Sequence, residues 1–127
     1  MKIVDNFLNN LEFQKIKQSI LNPYFDWYYQ SSKVEDDDGG QQFTHIFLNE
    51  DGKISKYFNV LKPIFFKLKA KDIIRAKINL THKKETIKEF AYHIDTPKKC
   101  KTAILYLNTN NGKTLYKIQK LQRELAN

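Results

Sequence analysis

The sequence predicts an α+β domain, and three observations lead there. Two segments carry apolar residues at helical spacing: Phe13, Ile16 and Ile20, then Phe58, Leu61, Phe65 and Leu68. Other segments are short, rich in β-branched and aromatic residues, and bounded by turn residues, as strands are. The 127 residues are 41% hydrophobic and 13% aromatic, enough for one real core, and no repeat or low-complexity linker divides them.

Taken in order, residues 2–5 read as a short strand. Asn9 then stands as an N-cap with Glu12 three residues on, and the Phe13, Ile16, Ile20 stripe predicts a helix over 10–21 that Asn22-Pro23 ends. Residues 24–30 are aromatic and extended in character, and read as a strand whose rings pack in the core. Residues 34–41 hold Asp36-Asp37-Asp38-Gly39-Gly40 without Ca²⁺-loop spacing. They predict a solvated, mobile loop able to act as a lid. Residues 42–48 form the next strand and contain His45, read as structural, with a turn at Glu50-Asp51-Gly52.

The second stripe predicts a helix over 55–69, bent at its start by Pro63 and packed on the outer face of the sheet. Residues 72–80 read as a strand burying Ile73, Ile74 and Ile78. A polar loop over 81–88 and strands at 89–95, 102–108 and 113–116 complete the chain, with Thr96-Pro97-Lys98-Lys99 interrupting them. The tail 117–127 changes to helical spacing, with Leu115, Ile118, Leu121 and Leu125 on one face.

Composition narrows the function classes. The formal charge is +8, from 22 basic and 14 acidic residues. A basic surface attracts phosphates and acidic partners. Here, though, the cations are dispersed, with no arginine–aromatic motif, which argues against nucleic acid as the main partner. No apolar run approaches the ~20 residues of a membrane span. Asp5 falls where a signal peptide would be apolar, so the expected location is cytoplasmic. Cys100 is the single cysteine, read as a loop thiol.

The chemistry-bearing stretch is Phe90-Ala91-Tyr92-His93-Ile94-Asp95. In a strand, His93 and Asp95 project side by side, offering an imidazole and a carboxylate to one metal ion. Downstream come Tyr106-Leu107-Asn108 and Gly112-Lys113-Thr114. By alternation Thr102, Ile104, Tyr106 and Asn108 share one face, and Ala103, Leu105 and Leu107 the other.

His-x-Asp, then Tyr-Leu-Asn and Gly-x-Thr, resembles the prolyl-4-hydroxylase-like branch of the Fe(II)/2-oxoglutarate dioxygenases, particularly short virus-borne or marine versions. The upstream segments Ile3-Val4-Asp5-Asn6-Phe7-Leu8, Phe25-Asp26-Trp27-Tyr28-Tyr29, Gln42-Phe43-Thr44-His45 and Arg75-Ala76-Lys77-Ile78-Asn79-Leu80 fit it too, over roughly residues 1–115. The resemblance implies a double-stranded β-helix (jelly-roll). Residues 1–80 would form its supporting helices and strands, residues 88–116 its core strands, and 117–127 an atypical tail. It implies hydroxylation of a peptide or small molecule with Fe(II), 2-oxoglutarate and O₂, and ascorbate as reductant, in the host cytoplasm for a virus-borne version. His93 and Asp95 would be two of three metal ligands in a 2-His-1-carboxylate site. Tyr106 would donate its hydroxyl to the 2-oxoglutarate carboxylate, with Asn79 as the secondary lining residue.

The chain departs from the pattern at its end. The family carries a distal histidine and then an Arg or Lys for the far carboxylate of the cosubstrate. Here no histidine follows Asp95, because His45 and His82 both precede it, and nothing fixes Arg123 in the cation's place. The expectation is a barrel incomplete at its C-terminus, with weak or no activity in this chain alone. A dimer partner or second chain would complete it. The alternative is a non-catalytic remnant or basic binding module that keeps the fold.

Overall fold

A computed structural model describes residues 1–115, so the strand expected to reach Tyr116 and the tail helix lie partly or wholly outside it. The architecture is α+β. The chain divides into two compact units, Met1–Lys83 and Lys84–Asn127, and each is described by itself.

The first unit holds all the regular structure: α1 (Asn10–Ile20), β1 (Tyr28–Gln30), β2 (Gln42–Leu48), a 3-10 turn (Phe58–Leu61) running into α2 (Lys62–Leu68), and β3 (Ala76–Thr81). α1 begins where the sequence places it. The Asn9 side chain accepts the Glu12 N–H at 2.8 Å, satisfying one of the donors that a helix start leaves unpaired. Ile16 and Ile20 are buried, as the stripe requires. At the other end the Leu21 N–H donates to the Lys17 carbonyl.

The strands pair antiparallel in the order β1-β2-β3. Tyr28 opposes Thr44 on one side of β2, and Phe43 opposes Leu80 and His45 opposes Ile78 on the other. The core comprises Leu8, Ile16, Ile20, Phe25, Phe47, Leu48 and Leu61. Ile20 and Phe47 are the largest fully buried side chains, each contributing roughly 1.5–3 kcal/mol by burial.

Several expectations need correction. Residues 2–5 are exposed and form no strand. β1 starts only at Tyr28. The Asn22 side chain takes the Tyr24 N–H at 2.9 Å, and the Phe25 N–H turns back to the Asn22 carbonyl. This turn displaces the extended chain by several residues.

The second stripe is shorter than 55–69 and buries less. Pro63 lies in the first turn of α2, where its missing N–H costs nothing, and the 3-10 turn precedes it. Leu61 is buried and the Phe58 and Phe65 rings stand 5.4 Å apart, but α2 itself contains no buried residue. β3 begins at Ala76, leaving Ile73 and Ile74 outside it, and those two with Ile78 are half-buried.

The 34–41 loop is built around one side chain. Asp38 accepts backbone N–H groups from Val34, Lys33, Glu35 and Gly40 at 2.7–3.2 Å. Asp37 and Gly39 supply the left-handed backbone that the wrap needs. The Val34 N–H leads the donors that hold the Asp38 carboxyl down at about 2, against the opposing effect of burial.

In the second unit, residues 84–115 contain no helix and no strand. The strands expected at 89–95 and 102–108, and the described part of 113–116, are therefore absent. Their β-branched and aromatic residues meet no neighbouring strand, and propensity alone does not hold an extended segment in a ladder. Cys100 is exposed, as a loop thiol should be.

Candidate metal centre

The imidazole of His93 and the carboxylate of Asp95 do come together, although no strand carries them. His93 Nε2 stands 3.4 Å from Asp95 Oδ1. The other ring nitrogen, Nδ1, lies 3.4 Å from the Ala91 carbonyl, which only accepts. Nε2 is thus the nitrogen turned toward the carboxylate. Both side chains are more than half exposed, 53% and 58%. Behind Asp95 the Lys98 N–H caps the Thr96 hydroxyl at 3.3 Å, turning the chain at Thr96-Pro97.

The separation bears on metal binding. Two donors each ~2.1 Å from one ion, at right angles, stand about 3 Å apart. The observed 3.4 Å is close to that spacing. It equally suits an ion pair once the imidazole is protonated. The donor types fit Fe(II), but their number falls short. Among the described residues no three His, Cys, Asp or Glu side chains come together as a metal-holding group. The three-ligand face that the resemblance implies is not assembled among them.

Tyr106 and Thr114 close the second motif on itself. The Tyr106 hydroxyl is 2.7 Å from Thr114 Oγ1. Between them the Gly112 N–H donates to Asn110 Oδ1 at 2.9 Å, and Asn110 Nδ2 donates to the Asn108 carbonyl at 3.2 Å. Tyr-Leu-Asn and Gly-x-Thr are therefore one local turn. Tyr106 is about half exposed rather than facing an enclosed cavity. No hydrogen bond or ring contact joins it to His93 among the described residues. The role of Thr114 as partner to the phenol was not anticipated; two hydroxyls eight residues apart around an Asn-Gly turn are its sequence signal.

The remaining candidates belong to the first unit. Asn79 sits on β3 opposite Thr44 and is exposed. His82 lies edge-on to Phe43, with ring centroids 5.7 Å apart. His45 is 5% exposed among Phe25, Phe47, Tyr57 and Tyr28. Both its nitrogens are engaged, Nδ1 with the Asp26 carbonyl and Nε2 with the Ser55 hydroxyl, each at 2.7 Å. Neither nitrogen is open to a metal, which supports the structural reading. A shallow polar concavity of about 470 Å³ in this unit is lined by Tyr29, Gln30, Ser31, Ser32, Lys33 and Lys77, and by none of the expected site residues. No helix among the described residues is long and apolar enough to cross a membrane.

No protein family matches the chain, and neither does any curated protein or solved structure.

Proposed function

We propose that the chain is a domain of the Fe(II)/2-oxoglutarate dioxygenase type, with slow or no turnover by itself. The proposed fold is the double-stranded β-helix, to which the antiparallel β1-β2-β3 sheet would contribute. The observation that carries the reading is the His93–Asp95 pair, an imidazole nitrogen and a carboxylate oxygen 3.4 Å apart. The Tyr-Leu-Asn and Gly-x-Thr motifs, drawn together by the Tyr106–Thr114 contact, support it. His93 and Asp95 would hold the metal through Nε2 and Oδ1, and Tyr106 would offer a hydroxyl to the cosubstrate carboxylate. Iron held by His93 and Asp95 would supply O₂ activation coupled to 2-oxoglutarate. The described residues offer only two of the three donors that such a site needs.

A non-catalytic reading has an observation of its own in its favour: the absence, among the described residues, of any three-donor group. Succinate formation from 2-oxoglutarate with Fe(II) and ascorbate separates the two readings. A slow rate in the native chain that His93→Ala removes supports the dioxygenase. Equal rates in native and variant chains, together with Fe(II) binding that His93→Ala leaves unchanged, support the non-catalytic module.

A further inference from the structure

Asn111-Gly112 is the one Asn-Gly step in the chain. It lies inside the turn that brings the Tyr106 hydroxyl to 2.7 Å from Thr114 Oγ1. Both residues are exposed, and neither is in a helix or strand. The Gly112 N–H donates to Asn110 Oδ1 at 2.9 Å. An asparagine followed by glycine carries its own nucleophile. The glycine nitrogen reaches the asparagine Cγ to close a succinimide ring, and no Cβ stands beside that nitrogen to obstruct it. At Gly112 a Cβ would lie 3.0 Å from Asn110 Oδ1, so a side chain there would crowd that oxygen. An exposed segment outside regular structure bends into the ring-closing geometry without breaking a helix or a ladder.

We propose that Asn111 is a modification site, converted by water to aspartyl and isoaspartyl residues, and that the conversion opens the Tyr106–Thr114 turn. The Gly112 amide gives up its proton and its nitrogen attacks Asn111 Cγ. The N–Cγ bond forms, the Cγ–Nδ2 bond breaks, and Nδ2 leaves as ammonia, taking up a proton. Water then opens the succinimide at one carbonyl or the other. Either product adds a carboxylate to the turn that holds Lys113 and lowers the formal charge of +8 by one. The isoaspartyl product also routes the main chain through the former side chain, which lengthens it by a methylene. Tyr106 and Thr114 are only eight residues apart, so the longer path draws one hydroxyl away from the other. Asn110 slows the conversion. Its Oδ1 accepts from the Gly112 N–H, which favours the protonated amide over the deprotonated form that attacks. This inference does not depend on the dioxygenase reading.

The test is incubation of the full chain at mildly alkaline pH, followed by mass spectrometry of the tryptic peptide Thr102–Lys113. That peptide holds Asn108, Asn110 and Asn111, so fragment ions compare the three in one sample. Asn108 and Asn110 are followed by residues with a Cβ, and Asn111 is expected to convert on the order of tenfold faster than either. Asn110→Ala, which removes the acceptor, is expected to raise the rate at Asn111 about two- to tenfold. As conversion proceeds, the Tyr106 ring resonances in nuclear magnetic resonance spectra should move toward those of Thr114→Val, which lacks the hydroxyl partner. Conversion at Asn111 no faster than at Asn108 and Asn110 would overturn the proposal. So would an unchanged or lower rate in Asn110→Ala, or Tyr106 resonances that stay in place while Asn111 converts.

Discussion

His45 Nε2 lies 2.7 Å from Ser55 Oγ, and this contact ties the middle strand of the sheet to the segment that leads into α2. The neighbours determine the tautomer. The Asp26 carbonyl at Nδ1 can only accept, so Nδ1 carries the hydrogen and Nε2 accepts from Ser55. Ser55 Oγ in turn accepts the Tyr57 N–H at 3.1 Å. One hydroxyl therefore satisfies a buried imidazole and a backbone donor together.

Removing it should be costly. Ser55→Ala leaves a buried ring nitrogen without its partner, and the expected loss is about 1–3 kcal/mol. Urea denaturation of native and variant chains measures it. A loss near zero would mean that the imidazole finds another donor.

Asp38 sets a pH dependence. Its folded value of about 2 lies below the ordinary 3.8, with the Val34 N–H as the leading cause. A depressed carboxyl stabilises the fold above its unfolded value, and that contribution disappears as pH falls from about 4 to about 2. The native chain should lose stability across that window, and Asp38→Asn should lose less across it. Thermal melts between pH 5 and 2 read the difference; parallel curves for the two chains would exclude Asp38 as a source.

The end of α2 offers a stabilising change. Lys69 caps the helix with φ of 53°, and the Lys69 and Ala70 N–H groups return to the Phe66 and Phe65 carbonyls. A residue with a Cβ is strained there, and glycine is not. Lys69→Gly is expected to stabilise the protein by about 1 kcal/mol, seen as a raised urea midpoint. A lowered midpoint would show that the lysine side chain contributes more than its backbone strain costs.

Elements with a local cause were legible in the sequence. Asn9 and Glu12 mark the start of α1, and Ile16 and Ile20 its buried face. β2 was readable over 42–48 because its apolar residues sit between clear turns. What failed depended on distant partners. Residues 89–95 and 102–108 have strand composition, but a ladder needs a second strand, and the described chain provides none there. At the site, His93 and Asp95 were expected together and are, but through a local bend rather than a pleat. The sequence predicts a solvated, mobile loop able to act as a lid over 34–41 and not the Asp38 wrap, because four converging N–H groups leave little trace in composition.

The proposal most exposed to experiment is that His93 and Asp95 act as two protein ligands of a divalent metal. Calorimetric titration of the full chain with Mn(II) or Fe(II) under argon tests it most directly. Weak, reversible binding is expected, with Kd above about 1 μM, lost in both His93→Ala and Asp95→Ala, while the melting temperature without metal stays the same in all three chains. Binding that is absent from the native chain, or that persists undiminished in either variant, would contradict it.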